Sequence, residues 1–483
     1  MPNIRKISSD VRVRMALPTK LLPVCKCHEK DYPAWTSELH GVTQALQSES
    51  TALKFFWWAI VISCVVGGTV TTVLVVIEYV NGPTATSTTI RLVTSLKLPA
   101  ITICPKVPDA FNFTRLYEDM KTFLPSITEG GARDLLRYWL GGNGLENMDE
   151  LTEFNRSYLD HLSLQYKKWS KGYRQGDFFK IIHEQYGYKC EDMFYYCQIG
   201  GKPRNCCSEL FRRQIVMRRG ICYQTLPTVN QTEPDDVGRL VVSLNTLPSV
   251  TSAHYNYIQP QILVYVTDSH DYVVDYPRYY LNPNEWNRMR FTARFIDLLP
   301  HPHVCTDQKF GKDSACFVRR WLLSNIARPY NCTIAYMPPI PGIPKLPLCD
   351  MMMIAKNYFN AIQLVLSGAR VTQECVPGCK RWDYQISLQQ TAALQRFKNY
   401  AFNLEASFND LQYENMREVF TTSVPGFMSQ IGGQFGFFLG LSIITLLQII
   451  LYAFHVIYRK VKQLMNGMTK IARKSSQIVM RKR

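Results

Sequence analysis

The strongest constraint on the fold is a pair of long apolar stretches that contain no charged residue. The first runs from Phe55 to Ile77, twenty-three residues between Lys54 and Glu78. A hydrocarbon core about 30 Å thick needs about 20 helical residues, so this stretch predicts a membrane-spanning helix, assigned to residues 55–79. It begins too far into the chain to be typical of a signal peptide.

The second apolar stretch runs from Val419 to Tyr458 and is forty residues long. A straight helix of that length would extend ~60 Å, about twice the thickness of the membrane core. Part of it must therefore lie outside the bilayer or be broken, and the membrane-spanning part is assigned to residues 425–458. We expect the interruption at a group of glycines: Gly432, Gly433, Gly436 and Gly440.

The distribution of charge predicts the orientation in the membrane. The chain has a formal net charge of +17. The segment after Tyr458 holds nine Lys and Arg and no acid, and residues 1–54 hold eight basic and five acidic residues. The positive-inside rule then places the N-terminal segment 1–54 and the basic tail 459–483 in the cytoplasm, and residues 80–424 outside. The charge thus reflects topology in a lipid bilayer and does not indicate a nucleic-acid partner.

The segment between the two stretches has the features of an extracellular, cysteine-rich domain. It contains four Asn-x-Ser/Thr sequons, which are candidate glycosylation sites: Asn112, Asn155, Asn230 and Asn331. Twelve cysteines also lie in it, an even number that is compatible with complete pairing into disulfides. They are Cys104, Cys190, Cys197, Cys206, Cys207, Cys222, Cys305, Cys316, Cys332, Cys349, Cys375 and Cys379.

Short patterns in this segment favour a mixed α+β domain. Apolar, β-branched runs predict strands at residues 240–244, 261–266 and 271–274. Residues 357–369 and 388–397 are interpreted as helices. The overall prediction is an α+β fold class, with two transmembrane helices and a large disulfide-rich extracellular domain.

The glycine-rich part of the second stretch is the main candidate functional motif. Glycines allow close backbone approach and let carbonyl groups face a pore axis, and the hydroxyl of Ser442 follows them. Such oxygens can replace part of the water shell of a small cation. The alternative is a Gly436-x-x-x-Gly440 motif that only packs helices together.

The run GGQFGFFLGLSIITLLQ resembles the pore segment of the epithelial sodium channel/degenerin family, which includes acid-sensing channels. In that family a Gly-x-Ser tripeptide forms the selectivity filter, which corresponds here to Gly440, Leu441 and Ser442. Four further resemblances occur in order along the chain, at His40-Gly41, at residues 98–104, at residues 220–223 and at residues 375–379. The resemblance implies a trimer whose second spans line one pore, so the second segment is expected to be pore-lining.

The same resemblance implies roles for individual residues. His40, Gly41 and Ser429 correspond to gating positions, although a small residue at 429 could equally serve helix packing. The implied disulfides are Cys104–Cys222, Cys305–Cys379, Cys316–Cys375 and Cys332–Cys349. Four cysteines then remain, which allow three pairings; we favour Cys197–Cys207, which leaves Cys190–Cys206.

One departure from the family pattern bears on ion permeation. The family usually has a glutamate six residues after the filter serine, and here that position is Gln448. Loss of a ring of carboxylates should weaken cation attraction at the inner mouth. A related subunit could supply the missing carboxylate, so the choice between homomer and heteromer stays open.

These observations favour a trimeric, stimulus-gated cation channel of the plasma membrane that is permeable to sodium and sensitive to amiloride. Its expected partners are sodium ions, the lipid bilayer and identical or related subunits. No enzyme activity, cofactor or metal site is expected. The alternatives are an ATP-gated two-pass channel and a non-conducting two-pass adhesion or scavenger receptor. The sequence leaves the stimulus open among protons, peptides and mechanical load.

Overall fold

The computed structural model describes residues 41–480, apart from 147–148, 269, 302–303, 308–312, 341–342 and 365–374. The chain divides into two units. The smaller, helical unit combines the segments up to residue 84 and from residue 420 onward, and the larger unit comprises Ala85–Val419.

In the described residues the α-helices, numbered in chain order, are α1 Val42–Gln47, α2 Thr51–Asn81, α3 Phe113–Phe123, α4 Glu129–Gly142, α5 Arg156–Trp169, α6 Gln175–Gln185, α7 Cys190–Met193, α8 Asp235–Gly238, α9 Asp313–Trp321, α10 Arg328–Tyr330, α11 Met351–Lys356, α12 Val424–Leu439 and α13 Ile443–Met480. Short π-helical turns occupy Cys206–Leu210, Leu322–Ala327 and Phe359–Gln363.

The strands are β1 Thr84–Leu92, β2 Leu96–Lys97, β3 Ala100–Pro105, β4 Phe194–Ile199, β5 Lys202–Pro203, β6 Phe211–Val216, β7 Gly220–Thr225, β8 Asn230–Gln231, β9 Leu240–Leu244, β10 Ile262–Thr267, β11 Tyr279–Leu281, β12 Glu285–Asp297, β13 Lys380–Ala392 and β14 Phe402–Phe420. One sheet has the order β13-β12-β14-β9-β4-β5, with β1 paired to β14, and a second has the order β11-β10-β3-β7-β6. Only β12 and β14 run parallel in the register described for these sheets. The larger unit is therefore α+β.

Helix α2 matches the first predicted span. Its most apolar window has a mean hydropathy of 2.5, and among the described residues it is the one helix long and apolar enough to cross a membrane. Most of its side chains are exposed and Gly68 is the buried residue within it. An apolar helix that the described protein leaves uncovered is typical of a segment in contact with lipid.

The second apolar stretch forms two helices. Helix α12 has 16 residues, which corresponds to ~24 Å and falls short of the ~30 Å core. The chain leaves the helix at Gly440, and α13 begins at Ile443. The break lies at the last of the four glycines at which the sequence predicts an interruption.

The larger unit contains two main hydrophobic clusters. One lies among α3 to α6 and includes the fully buried Trp139 and Trp169. Asn112, Thr128 and Asn155 cap the N-termini of three of these helices by accepting backbone N–H groups. The other cluster lies at the sheets. The helices therefore present amphipathic faces to a shared aromatic core.

Two sequence-based assignments of secondary structure are wrong. Residues 388–397 are not a helix, because Lys380–Ala392 forms strand β13. The signal was a period of two, since Trp382, Tyr384 and Ile386 are half-buried on one face of that strand. Residues 271–274 form no strand, and only an isolated bridge joins Val273 to Val216.

The helix assigned to residues 357–369 is only partly described. A π-helical turn covers Phe359–Gln363, and residues 365–369 lie outside the described residues. The strands assigned to 240–244 and 261–266 correspond to β9 and β10.

The described residues contain six disulfides, and four of them are those that the family resemblance implies: Cys104–Cys222, Cys305–Cys379, Cys316–Cys375 and Cys332–Cys349. The favoured pairing of the remaining four cysteines is wrong. Cys190 is bonded to Cys207, and Cys197 is bonded to Cys206. Cys206 and Cys207 are adjacent in one helical turn, so their side chains point in different directions, one toward Cys197 of β4 and the other toward Cys190 at the start of α7.

Candidate functional site

The end of α12 is shaped by the backbone of Gly440. This residue has φ 64° and ψ 19°, in the left-handed region that favours glycine. The N–H of Gly440 donates to the carbonyl of Gly436 at 3.0 Å, and the N–H of Leu441 donates to that of Phe435 at 3.2 Å. These bonds close the last turn of the helix. A side chain at position 440 would strain this termination.

Ser442 directly precedes the next helix, α13. The N–H of Thr445 donates to Ser442 Oγ at 3.1 Å, and the two hydroxyl oxygens lie 3.0 Å apart. Thr445 is buried, whereas Ser442 is exposed. Ser442 therefore acts as an N-cap. The three predicted filter residues form a non-helical joint between a helix C-terminus and a helix N-terminus, where hydroxyl and carbonyl oxygens can serve as cation ligands.

The other glycines of α12 are not used for packing within the described chain. A Cβ at Gly432 or Gly433 would meet no atom within 4 Å, and one at Gly436 would meet only the Leu441 carbonyl oxygen at 3.9 Å. Together with Ser429 they occupy one exposed face of the helix. The alternative of a packing motif inside the chain has no support here, because α12 packs against α2 through other residues, including Phe427, which stacks on Tyr79 at 4.0 Å between ring centroids.

Phe438 of α12 packs against two glycines of α2. A Cβ added at Gly68 would lie 3.1 Å from Phe438 Cβ, and one at Gly67 would lie 3.1 Å from Phe438 Cε1. The glycine pair of α2 therefore allows close approach of the phenylalanine, as small residues do in other membrane helix pairs. The exposed glycine face of α12 remains available for a partner outside this chain.

The predicted gating residues lie at different places in the helical unit. Ser429 is exposed on α12. Gly41 precedes α1 with φ 85°, and a Cβ there would lie 3.1 Å from Val61 Cγ2 of α2. His40 lies outside the described residues. Gln448, where the family has glutamate, is exposed on α13.

The four sequon asparagines are all exposed in the larger unit. Asn112 and Asn155 accept backbone N–H groups through Oδ1, at 3.3 and 2.8 Å, to cap α3 and α5. An N-glycan is attached at the side-chain nitrogen. Helix capping and glycosylation at these two positions are therefore compatible.

A buried ion-pair network in the larger unit was not predicted. Asp275, fully buried, accepts from Arg218 Nε at 2.7 Å and from Arg278 Nη2 at 2.8 Å. Glu146 pairs with Arg219 at 2.7 Å and with Arg278 at 2.9 Å. Burial by itself would raise the pKa of Glu146, but the neighbouring arginines outweigh burial and hold that pKa below its ordinary value.

The sequence does not predict the network, because its members come from three places that lie far apart in the chain: Glu146, the pair Arg218-Arg219, and Asp275 with Arg278. The sequence shows only the Arg218-Arg219 pair directly before Gly220. In the structure, the backbone of Arg218 is left-handed, with φ 61°. Among the described residues no group of three or more His, Cys, Asp or Glu is arranged to hold a metal ion.

Comparison with known proteins identifies the family. The family model described as Amiloride-sensitive sodium channel matches residues 34–452. The human bile acid-sensitive ion channel is 20% identical over 489 residues, covering 92% of this chain and 90% of its own length. The mouse bile acid-sensitive ion channel is 22% identical over 494 residues, covering 90% and 88%.

A shorter similarity is closer in sequence. Acid-sensing ion channel 4-B of Danio rerio is 39% identical over 62 residues, which cover 13% of this chain and 11% of its own length. Among solved structures, a proton-activated chloride channel covers 79% of this chain and 91% of its own, at 6% identity and with a TM-score of 0.27, which is too low to indicate a shared fold. The family match extends from before α1 into α13 and so includes the joint at residues 440–442. The chain belongs to the amiloride-sensitive sodium channel family, the epithelial sodium channel/degenerin family of membrane ion channels, and is not an enzyme.

Proposed function

We propose that the chain is the subunit of a trimeric, stimulus-gated cation channel of the plasma membrane, which conducts sodium and is blocked by amiloride. Gly440, Leu441 and Ser442 form its selectivity filter, and Gly41, His40 and Ser429 influence the balance between open and closed states. The observation that carries the proposal is the joint at residues 440–442, between two helices of an apolar segment, at the family's Gly-x-Ser position.

The exposed glycine face of α12 supports the oligomeric part of the proposal. Gly432 and Gly433 have open space around them in the described chain, and Ser429 lies on the same face. Three such faces arranged about one axis would bring helix backbones close to a water-filled path, because glycine adds no side chain.

The proposed topology has two spans, residues 55–79 and 425–458, with both termini in the cytoplasm and residues 80–424 outside. The basic tail and the basic N-terminal segment support this orientation. The exposed sequon asparagines and the six disulfides of the larger unit support an oxidising, extracellular location for it.

The stimulus is proposed by analogy with the relatives, whose names refer to bile acids and to acid. The test is expression in oocytes under voltage clamp, with bile acids, a pH series and ion substitution. A sodium-dependent current that amiloride blocks is the expected result. A current evoked by ATP would favour the alternative of an ATP-gated two-pass channel. The absence of current, even with Ser429→Cys or a bulkier residue at that position, would favour a receptor without a pore.

A further inference from the structure

The larger unit contains a cavity of about 160 Å³ between the end of α6, the loop after it and the start of β7. Its lining includes the apolar side chains of Phe111 and Ile221. A cavity of ~150 Å³ can hold a benzene ring. The volume of this partly open cavity therefore fits an apolar group of about that size.

The charged side chains around this cavity are predominantly positive. Lys189, Arg213 and Arg219 line it, against the single carboxylate of Glu184. The imidazole of His183 also lines it, and burial lowers the pKa of His183 to about 4, with a smaller contribution from Arg213 in the same direction. His183 is therefore neutral at physiological pH. With Arg219 paired to Glu146, the remaining charges of the lining are Lys189 and Arg213 against Glu184, an excess of one positive charge.

These cations have unused capacity to bind an anion. Within the part of the chain that the structure describes, Lys189 and Arg213 form no ion pair. Arg219 is only 4% exposed and donates to the carbonyl of Lys106 and to Glu146, but its Nε is buried with no hydrogen-bond partner among the described residues. A buried N–H without an acceptor is uncommon in folded proteins and points to a missing partner.

We propose that this cavity binds a small organic carboxylate with a ring-sized apolar body. The apolar side chains of the lining disfavour a purely inorganic anion, since such an ion would gain nothing from contact with them. The excess positive charge disfavours a neutral or cationic ligand, because the carboxylate would supply charge-assisted hydrogen bonds to Arg213 and Lys189 at the rim. The proposal does not depend on ion conduction.

The test uses the full-length chain, purified in detergent, with 4-fluorobenzoate as the probe and ¹⁹F NMR line broadening as the measurement of binding. We expect saturable binding that weakens about tenfold in the double variant Lys189→Gln/Arg213→Gln, a change equivalent to ~1.4 kcal/mol. Both residues are exposed, so this variant is expected to fold. Ile221→Trp, which fills the cavity, should abolish binding.

The matched control is Arg212→Gln. Arg212 is the neighbour of Arg213 on β6, but its side chain donates to the carbonyl of His270 and does not line the cavity. This variant should bind 4-fluorobenzoate as the wild type does. The neutral analogue 4-fluorobenzyl alcohol should bind at least tenfold more weakly to the wild type.

Three results would overturn the proposal: no binding of 4-fluorobenzoate, equal binding to all variants, or equal binding of the alcohol. Because no current is measured, a conducting channel that does not bind the probe would contradict this inference and leave the proposed function intact. A chain that binds the probe and never conducts would support this inference and contradict the proposed function.

Discussion

Gly68 of α2 lies directly against Phe438 of α12, where a Cβ added to the glycine would be 3.1 Å from the phenylalanine Cβ. This separation is shorter than an ordinary van der Waals contact, so a larger residue at position 68 must displace the phenylalanine. The contact joins the first span to the helix that ends at the proposed filter.

Replacing Gly68 by valine should destabilise the helical unit by roughly 1–3 kcal/mol, the usual cost of overpacking. The measurement is the thermal unfolding temperature of the purified protein in detergent. Phe438→Ala in the same chain should recover much of the loss, since it removes the crowded side chain. Ala59→Val is the control, because Ala59 is exposed on the same helix; an equal loss in that variant would contradict the role of the contact.

Replacing Gln448 by glutamate should increase the inward sodium current through homomeric channels, because the proposed trimer would gain three carboxylates that attract cations to the inner mouth. Gln448 is exposed on α13 and so is accessible to restore this ring. Single-channel conductance in excised patches is the measurement, with Gln448→Asn as the uncharged control. A robust conductance that glutamate leaves unchanged would count against both the ring and the need for a second subunit type.

Replacing Asp275 by asparagine should destabilise the larger unit by about 3–5 kcal/mol, since it removes a fully buried carboxylate and leaves the buried Arg218 with only the longer contact to Glu146 at 3.4 Å. Chemical denaturation of the purified chain measures this loss. Glu209→Gln is the comparison, because its ion pair with Arg204 is exposed on both sides. The free energy of unfolding of that variant should fall by less than ~1 kcal/mol. Equal losses in the two variants would show that burial does not strengthen the network.

His183 should contribute a loss of stability in mild acid. Burial lowers the pKa of His183 to about 4 from an ordinary value of 6.5. Below pH 6.5 the unfolded chain binds a proton at His183, whereas the folded chain binds it only near pH 4. The free energy of unfolding therefore decreases as the pH is lowered from 6.5 to about 4. The contribution is at most ~3 kcal/mol, the free energy that corresponds to a pKa shift from 6.5 to about 4.

The measurement is a series of denaturation curves between pH 7.5 and 4. His183→Phe keeps a ring among Phe111 and Phe179 and removes the titrating group, so its stability should vary less with pH in this range. Identical pH dependence in the variant and the wild type would refute the assignment to His183.

Local sequence patterns predicted the elements that depend on local chemistry. The span at residues 55–79 followed from an uninterrupted apolar run, and the break at Gly440 followed from glycine content. The α+β character of the larger unit and the presence of six disulfides followed from strand-like runs and an even number of cysteines. The span and the break followed from local patterns, whereas the number of disulfides followed from the cysteine count of the whole segment.

The features that the sequence did not predict depend on contacts between distant residues or on the direction in which side chains point. The ion-pair network around Asp275 joins positions far apart in the chain, and no regular residue spacing predicts it. The pairing of Cys190 with Cys207 depends on which way two adjacent cysteines point in one turn. Strand β13 was missed because its short alternation was read as a helix. His40 lies outside the described residues, so its part in gating stays a prediction.

The most direct test of the central claim is the reversal potential of a conducting channel under ion substitution, measured for the wild type and for Gly440→Ala and Ser442→Ala. If residues 440–442 form the filter, replacing external sodium by potassium should shift the wild-type reversal potential to more negative voltages. Both variants should reduce that shift, because one strains the left-handed turn and the other removes the capping hydroxyl. Unchanged ion preference in variants that still conduct would contradict the claim.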